Sequence, residues 1–475
     1  MKKILLINTN MEKAPYPVPP LGLCMLAVAL KGRFEVQIYD GVFDEGKGMP
    51  ALVHQFNPDF IGFSIRNIDD VVMDRQMVYI DGILEKFIRT VKAITNVPVI
   101  LGGSGFSIFP AELMKLTGAD YGIVGEAETI LPELLDRIQN KADTSDIPNL
   151  IISKKLEIQR GNGFRHIKPV PDRFSDIDRW IDFTPYMNKG VYSIQTKRGC
   201  AHGCIYCTYP LIEGRKFRTR KASDIADEIE LAHQRLGNIT FEFVDSTFND
   251  PKGHAEEICR EIISRKLKVR LRTMGINPRH TSEELFELMV EAGFVQIDAT
   301  PDSASPRILK SLDKGFELEE IEKMATLIRK FNLPTMWFFL FGGPGEVDDT
   351  FRETLDFIDA YINKEDLVYM NAGLRIYPGT PLYSIALAEG RIPAGQSVFH
   401  PPVYYYAHGV SKNRLDGMIK AASLTRHNCI PAMETAPSSA MIAEAVESRR
   451  LNQLDEPMFR TLLRIRAAWR IVGRI

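Results

Sequence analysis

The stretch Val191-Tyr192-Ser193-Ile194-Gln195-Thr196-Lys197-Arg198-Gly199-Cys200-Ala201-His202-Gly203-Cys204-Ile205-Tyr206-Cys207 decides the reading of this 475-residue chain. An apolar, strand-like run enters the turn Arg198-Gly199, and three thiols follow at Cys-x-x-x-Cys-x-x-Cys spacing. Iron–sulfur clusters are held by thiolates brought close together on such a loop, and three of them leave one iron of a [4Fe–4S] cluster open to an outside ligand. A structural zinc site wants four ligands in paired spacings, a pattern that His202 does not complete. Cys24, Cys259 and Cys429 are isolated, so neither a disulfide framework nor a second cluster is visible, and a reducing cytoplasm follows. Cys259 falls in the helical run His254–Ser264 and reads as a packing residue.

Outward from this loop, residues 190–390 read as a βα series. Strands are expected at 191–196, 239–244, 269–274, 295–300, 335–341 and 374–377, with amphipathic helices between them such as 222–235 and 282–292. Six such units make a partial (βα) barrel, whose site lies at the carboxyl ends of its strands. Residues 1–145 alternate in the same way, with strands at 4–7, 36–39, 60–65, 97–101 and 121–124 and helices at 21–30 and 83–94. That pattern predicts a doubly wound parallel sheet, which binds ligands outside the strand ends. Those ends carry Asn8-Thr9-Asn10, Ser64-Ile65-Arg66-Asn67, Gly102-Gly103-Ser104-Gly105 and Gly125-Glu126. The glycine-rich turn lacks the lysine of a P-loop, and the first βα turn does not spell a dinucleotide fingerprint.

Residues 146–189, with Gly161-Asn162-Gly163 and Pro169-Val170-Pro171, read as a linker. Residues 391–475 read as mainly helical and end in a basic amphipathic candidate over 458–475 with Arg460, Arg464, Arg466 and Arg470. Such a helix lies on a membrane or docks to protein, and packing on the barrel is the simpler account. Tyr404-Tyr405-Tyr406 either lies over an apolar substrate or divides between core and surface. With 59 basic and 61 acidic residues the net charge is −2, so no overall basic field marks a nucleic-acid partner. The run Arg215-Lys216-Phe217-Arg218-Thr219-Arg220-Lys221 is a local exception, read as a solvated or anion-contacting loop. The terminus Met1–Ile7 is too short in its apolar run for a signal peptide, and no segment is apolar for long enough to span a bilayer.

The segment from Arg198 to Cys207, with the aromatic Tyr206 before the third cysteine, resembles the signature of the radical S-adenosylmethionine superfamily. The resemblance implies that the open iron binds S-adenosylmethionine, that a 5′-deoxyadenosyl radical is formed, and that an external flavodoxin- or ferredoxin-like donor supplies electrons. It extends along the chain. Asp245 occupies the second-strand acidic motif, Arg272 the third strand end, Gly342-Gly343-Pro344-Gly345-Glu346 the fifth-strand motif and Tyr377-Pro378-Gly379 the segment after the sixth. By that resemblance Tyr206, Asp245, Arg272, Gly342, Gly343 and Glu346 are expected to contact S-adenosylmethionine. The fourth strand departs from the pattern, since Asp298-Ala299-Thr300-Pro301-Asp302 stands where many relatives have Gly-Ile-Glu-Ser, and Asp298, Thr300 and Asp302 are alternatives for the missing glutamate.

Residues 1–145 resemble the cobalamin-binding domain that precedes many radical S-adenosylmethionine domains. The resemblance rests on Pro19-Pro20-Leu21-Gly22, Pro58-Asp59-Phe60-Ile61-Gly62, Pro98-Val99-Ile100-Leu101-Gly102-Gly103 and Gly125-Glu126-Ala127-Glu128. It implies cobalamin contacts from Thr9, Ser64, Arg66, Gly102, Gly103, Ser104, Gly125 and Glu126. The histidine motif Asp-x-His-x-x-Gly is absent and no histidine precedes His54, so cobalt is expected without a histidine ligand and with Arg66 beneath the corrin. The function implied is methyl transfer to an unactivated carbon of a small-molecule, lipid or peptide substrate. One S-adenosylmethionine methylates cobalamin, another yields the radical, and the substrate radical takes the methyl group. Ring contraction, cyclisation or another rearrangement is the alternative, followed by a noncatalytic redox protein.

Overall fold

Parallel strands separated by helices need a crossover at each step, and both halves of the chain obey that rule. The computed structural model describes residues 1–13, 16–72, 77–153, 176–187, 190–434 and 437–471. The first sheet contains β1 (Lys3–Asn8), β2 (Glu35–Asp40), β3 (Phe60–Ser64), β4 (Val99–Gly102), β5 (Tyr121–Ile123) and β6 (Leu150–Ile152) in the order β2-β1-β3-β4-β5-β6. Strands β1 to β5 are parallel, and β6 adds antiparallel to β5. The β6 segment falls in the stretch read as linker, and Gly161-Asn162-Gly163 and Pro169-Val170-Pro171 lie outside the described residues. Buried runs such as Ile4-Leu5-Leu6-Ile7 explain why these strands lie between helical layers.

The second half holds β7 (Tyr192–Ile194), a short antiparallel pair β8 (Lys197–Arg198) and β9 (Arg218–Thr219), then β10 (Thr240–Phe243), β11 (Arg270–Ile276), β12 (Phe294–Asp302), β13 (Thr335–Phe341) and β14 (Leu367–Ala372). A second short pair, β15 (Leu374–Arg375) and β16 (Tyr404–Tyr405), precedes β17 (Cys429–Pro431). The main sheet runs β17-β14-β13-β12-β11-β10-β7, with parallel pairing throughout. The sixth barrel strand is therefore Leu367–Ala372, not 374–377. Gly373, at φ +76°, breaks the run, and residues 374–375 pair antiparallel with 404–405 instead.

The helices lie close to their expected bounds, and Ser282 caps Glu283–Ala292 by accepting from the Leu285 N–H. The carboxyl-terminal helix Met458–Ile471 packs on the barrel: Arg460 is buried with Asp366 at 2.9 Å, and Arg470 donates to the Ser423 carbonyl at 2.6 Å. Residues 472–475 lie outside the described residues. No helix among the described residues is long and apolar enough to cross a membrane.

Candidate functional site

The cluster loop is fastened on both flanks. Pairing of β8 with β9 carries the chain to Gly199, whose φ is +87° and where a Cβ would lie 2.1 Å from the Lys216 carbonyl oxygen. Only glycine fits there. The Gly199 N–H donates to Glu213 Oε2 at 3.0 Å and the Cys200 N–H to the Gly214 carbonyl at 3.0 Å. On the other flank Ile205 N–H donates to Leu312 O, and Leu382 N–H to Ile205 O. His202 lies 2.8 Å from Asp250, which also accepts from Asn277 and Thr247. Burial pushes the Asp250 carboxyl up, but these hydrogen bonds prevail and hold it well below the usual range.

Cys200, Cys204 and Cys207 share this loop as free thiols, and no set of three metal-binding side chains is already assembled among the described residues. Burial pushes the Cys207 thiol up to about 12, and the neighbouring Cys204 and Cys200 push the same way. Three thiolates from this one loop would be the donor set that a cluster with one open iron requires. Tyr206, in their midst, points away toward the fourth strand: its hydroxyl donates to Asp302, which pairs with Lys314 at 2.6 Å.

Several expected contacts have other partners. Asp245 accepts from the Thr196 N–H at 2.8 Å, the Thr196 hydroxyl at 2.6 Å and the Lys197 N–H at 3.2 Å, so it ties the strand that leads to the cluster. Arg272 lies inside the barrel beside Glu242 at 2.7 Å and stacks 4.2 Å from the ring of Tyr16. Burial raises the Asp298 carboxyl in that group to about 6, against the pull of Arg272. Glu346 turns back on its own loop, accepting from the Gly342 N–H at 3.2 Å and from Thr350. Gly342 and Gly343 follow β13 on the same rim as the cluster loop but do not line the large cavity.

That cavity, about 660 Å³, lies between the two halves. Its sheet side includes Ser64, Arg66, Gly102, Gly103, Ser104, Gly125 and Glu126. Its barrel side includes Ser193, Gln195, Val244 and Met274. Met274 sits on the inner face of a strand yet is 41% exposed, because the cavity reaches it. Thr9 is the exception among the expected cobalamin contacts: it is fully buried, and its hydroxyl donates to the Ser64 carbonyl at 2.8 Å, closing the end of β1 on β3. Glu126 reaches the cavity wall but accepts from Arg218 at 2.9 Å.

The chemistry of the wall suits a corrin. Gly103, at φ +99°, keeps the turn against Ile65, where a Cβ would meet the carbonyl oxygen at 2.6 Å. Gly22 also lines the cavity, and a Cβ there would meet nothing within 4 Å. Arg66 is exposed into this space, and no carboxylate among the described residues pairs with it. No histidine among the described residues lines the cavity.

The polar locks between the halves are not visible from spacing alone. Arg198, directly before the cluster loop, pairs with Glu128 and lies 3.7 Å from Glu126. Tyr16 donates to Glu242 inside the barrel at 2.6 Å, Tyr186 to Asp40 at 2.5 Å, and Arg375 pairs with Asp69 at 3.0 Å.

Comparison with known proteins agrees with this architecture. Residues 194–358 match the radical SAM superfamily and residues 7–135 the B12 binding domain. The chain thus contains a radical SAM domain and a B12 binding domain, the kinds of domain that use a [4Fe–4S] cluster with S-adenosylmethionine and cobalamin respectively. It is 27% identical to the tryptophan 2-C-methyltransferase of Streptomyces laurentii, over 79% of this chain and 73% of that one. An uncharacterized methyltransferase of Pyrococcus horikoshii is 25% identical over 82% and 83%. The radical S-adenosylmethionine methyltransferase TsrM from Kitasatospora setae, solved with cobalamin and a [4Fe–4S] cluster, shares the fold with a TM-score of 0.82, 24% identity and coverage of 99% and 100%.

Proposed function

We propose that this enzyme transfers a methyl group to a carbon atom of a small-molecule substrate seated in the cavity between its two domains. One observation carries the reading: the glycine-rich turn at Gly102–Gly105 and the barrel mouth at Gln195, Val244 and Met274 line a single cavity. Group transfer between two sites needs the substrate within reach of both. A sheet whose strand ends faced away from the barrel would not provide that.

When bound, S-adenosylmethionine and cobalamin supply the methyl group, and the cluster supplies reducing power. The protein's part is placement. Cys200, Cys204 and Cys207 would hold the cluster, the residues at the barrel mouth would hold S-adenosylmethionine, and the turns at Ser64–Arg66, Gly102–Ser104 and Gly125 would hold cobalamin. Glu213 fixes Gly199 at the entry to the cluster loop, while Arg198 binds that loop to Glu126 and Glu128 of the sheet domain. Ser193, buried on the cavity wall, has a hydroxyl without a partner among the described residues. It suits a substrate N–H or O–H, since an unpaired buried polar group costs stability. The relative that acts on tryptophan makes this amino acid the first substrate to assay.

The test is anaerobic turnover of the reconstituted enzyme with S-adenosylmethionine, cobalamin and tryptophan or other aromatic amines. S-adenosylhomocysteine together with a product heavier by one methyl group is expected. Deoxyadenosine and a rearranged product without S-adenosylhomocysteine would refute methyl transfer.

A further inference from the structure

We propose that Arg215, Lys216 and Lys221 form the docking surface for an acidic one-electron carrier that reduces the cluster. This rests on the reading that the bound cluster is reduced during the reaction.

The run from Arg215 to Lys221 holds five cations in seven residues, and the fold divides them. Arg218 turns inward to Glu126, and Arg220 is buried beside Glu228 at 2.8 Å. Arg215, Lys216 and Lys221 stay exposed, and none has a carboxylate partner among the described residues. Elsewhere exposed cations are commonly paired, as Lys86 is with Glu45, Lys412 with Asp416 and Arg414 with Asp348. On a chain of net charge −2 this is a local positive field, not part of a general one.

Its place gives the field a use. The Gly214 carbonyl accepts from the Cys200 N–H, and the Lys216 carbonyl packs on Gly199 so closely that a Cβ would collide. Phe217 lies edge-on to His202 of the cluster loop, with centroids 6.1 Å apart. The backbone that carries Arg215 and Lys216 is thus the layer against the first cluster ligand. Leu211, 38% exposed and four residues before Arg215, adds an apolar contact to the charged rim, the pattern of a protein interface. A nucleic acid would call for a longer track of phosphate contacts than three cations provide.

The step is an outer-sphere transfer. The carrier loses one electron, the cluster gains one, and no bond is made or broken. Complementary charge on the two faces speeds such an encounter by 10-fold to 10³-fold at low salt, and the gain vanishes as salt rises.

The experiment follows cluster absorbance in reconstituted holoenzyme mixed with reduced flavodoxin, or with photoreduced deazaflavin as a small reductant. The variant is Arg215→Glu/Lys216→Glu/Lys221→Glu, with Arg215→Lys/Lys216→Arg/Lys221→Arg as the charge-keeping control. Charge reversal is expected to slow reduction by flavodoxin at least about tenfold at low salt, with convergence at high salt, while cluster content and deazaflavin reduction stay unchanged. The control is expected to match the natural protein. An unchanged flavodoxin rate would overturn the proposal, as would an equal loss with both reductants or a charge-reversed variant that loses only transfer-RNA binding. A natural protein reduced by neither reductant would remove the reading beneath the proposal, and the proposal with it.

Discussion

Replacing Arg375 with Met removes the cation of the most deeply buried pair between the two domains. Arg375 and Asp69 have side chains only 1% and 2% exposed, and Nε lies 3.0 Å from Oδ2. The guanidinium also donates to the carbonyls of Ile376, Val403 and Phe399, and it lies 5.0 to 5.9 Å from the ring centres of Tyr377, Phe109 and Tyr404. Asp69 belongs to the segment that carries Arg66, Asn67 and Ile68 along the cavity wall. Breaking a buried pair by removing one partner costs about 3–5 kcal/mol, because the other charge is left uncompensated. Arg375→Met is expected to lose that much in urea denaturation and to weaken cobalamin binding, read by absorbance titration. Asp69→Asn/Arg375→Met, which leaves no orphaned charge, is expected to recover at least half the stability. An Arg375→Met protein within about 1 kcal/mol of the natural one, or a double variant as unstable as the single one, would refute the reasoning.

Ala at Cys200, Cys204 or Cys207 is expected to abolish iron–sulfur absorbance, whereas Cys259→Ala, in the core of the helix His254–Ser264, is expected to keep it. Glu346 gives a pH signature. Burial raises its carboxyl to about 7, against hydrogen bonds from Thr350 and the Gly342 N–H. The folded protein therefore holds this proton where the unfolded chain has released it, and stability from the group is complete below the ordinary carboxyl range and is lost as pH rises toward 7. At about 1.4 kcal/mol per unit the loss is roughly 3 kcal/mol, and the pH dependence of urea stability between pH 5 and 7 is expected to flatten in Glu346→Gln.

What was legible in the chain is what local sequence determines. The three thiols and the glycine turns at Gly102 and Gly125 are contiguous motifs whose chemistry does not depend on distant residues. The alternation of strands and helices likewise announces both sheets. The sixth barrel strand was misplaced because 367–372 and 374–377 are both apolar runs, and only Gly373 and the pairing of 374–375 with 404–405 separate them. The acids and arginines were harder to read. Asp245 stands at a strand end, where a ligand contact is reasonable, but its donors are Thr196 and Lys197, 49 and 48 residues away. Arg272 meets Tyr16, 256 residues away, and Arg375 meets Asp69, 306 residues away. Charge complementarity across such separations has no periodicity to expose it.

The distribution of these distant pairs explains how two sheets make one site. Arg198 with Glu126 and Glu128 locks the cluster loop to the end of β5, and Arg375 with Asp69 locks the segment after β3 to the far side of the barrel. Tyr16 enters the barrel between Glu242 and Arg272, and Tyr186 meets Asp40 at the end of β2. Buried charges repay their desolvation only in good geometry, so these contacts contribute less to net stability than to orientation. An apolar interface of the same extent would tolerate sliding, whereas a guanidinium held by buried carboxylates does not. Reaction between groups held on different domains loses rate steeply with misplacements of about 1 Å. Arg198, Glu126, Glu128 and Asp69 place two of these locks on the wall of the shared cavity itself, while the apolar cores of sheet and barrel supply the stability that the locks do not.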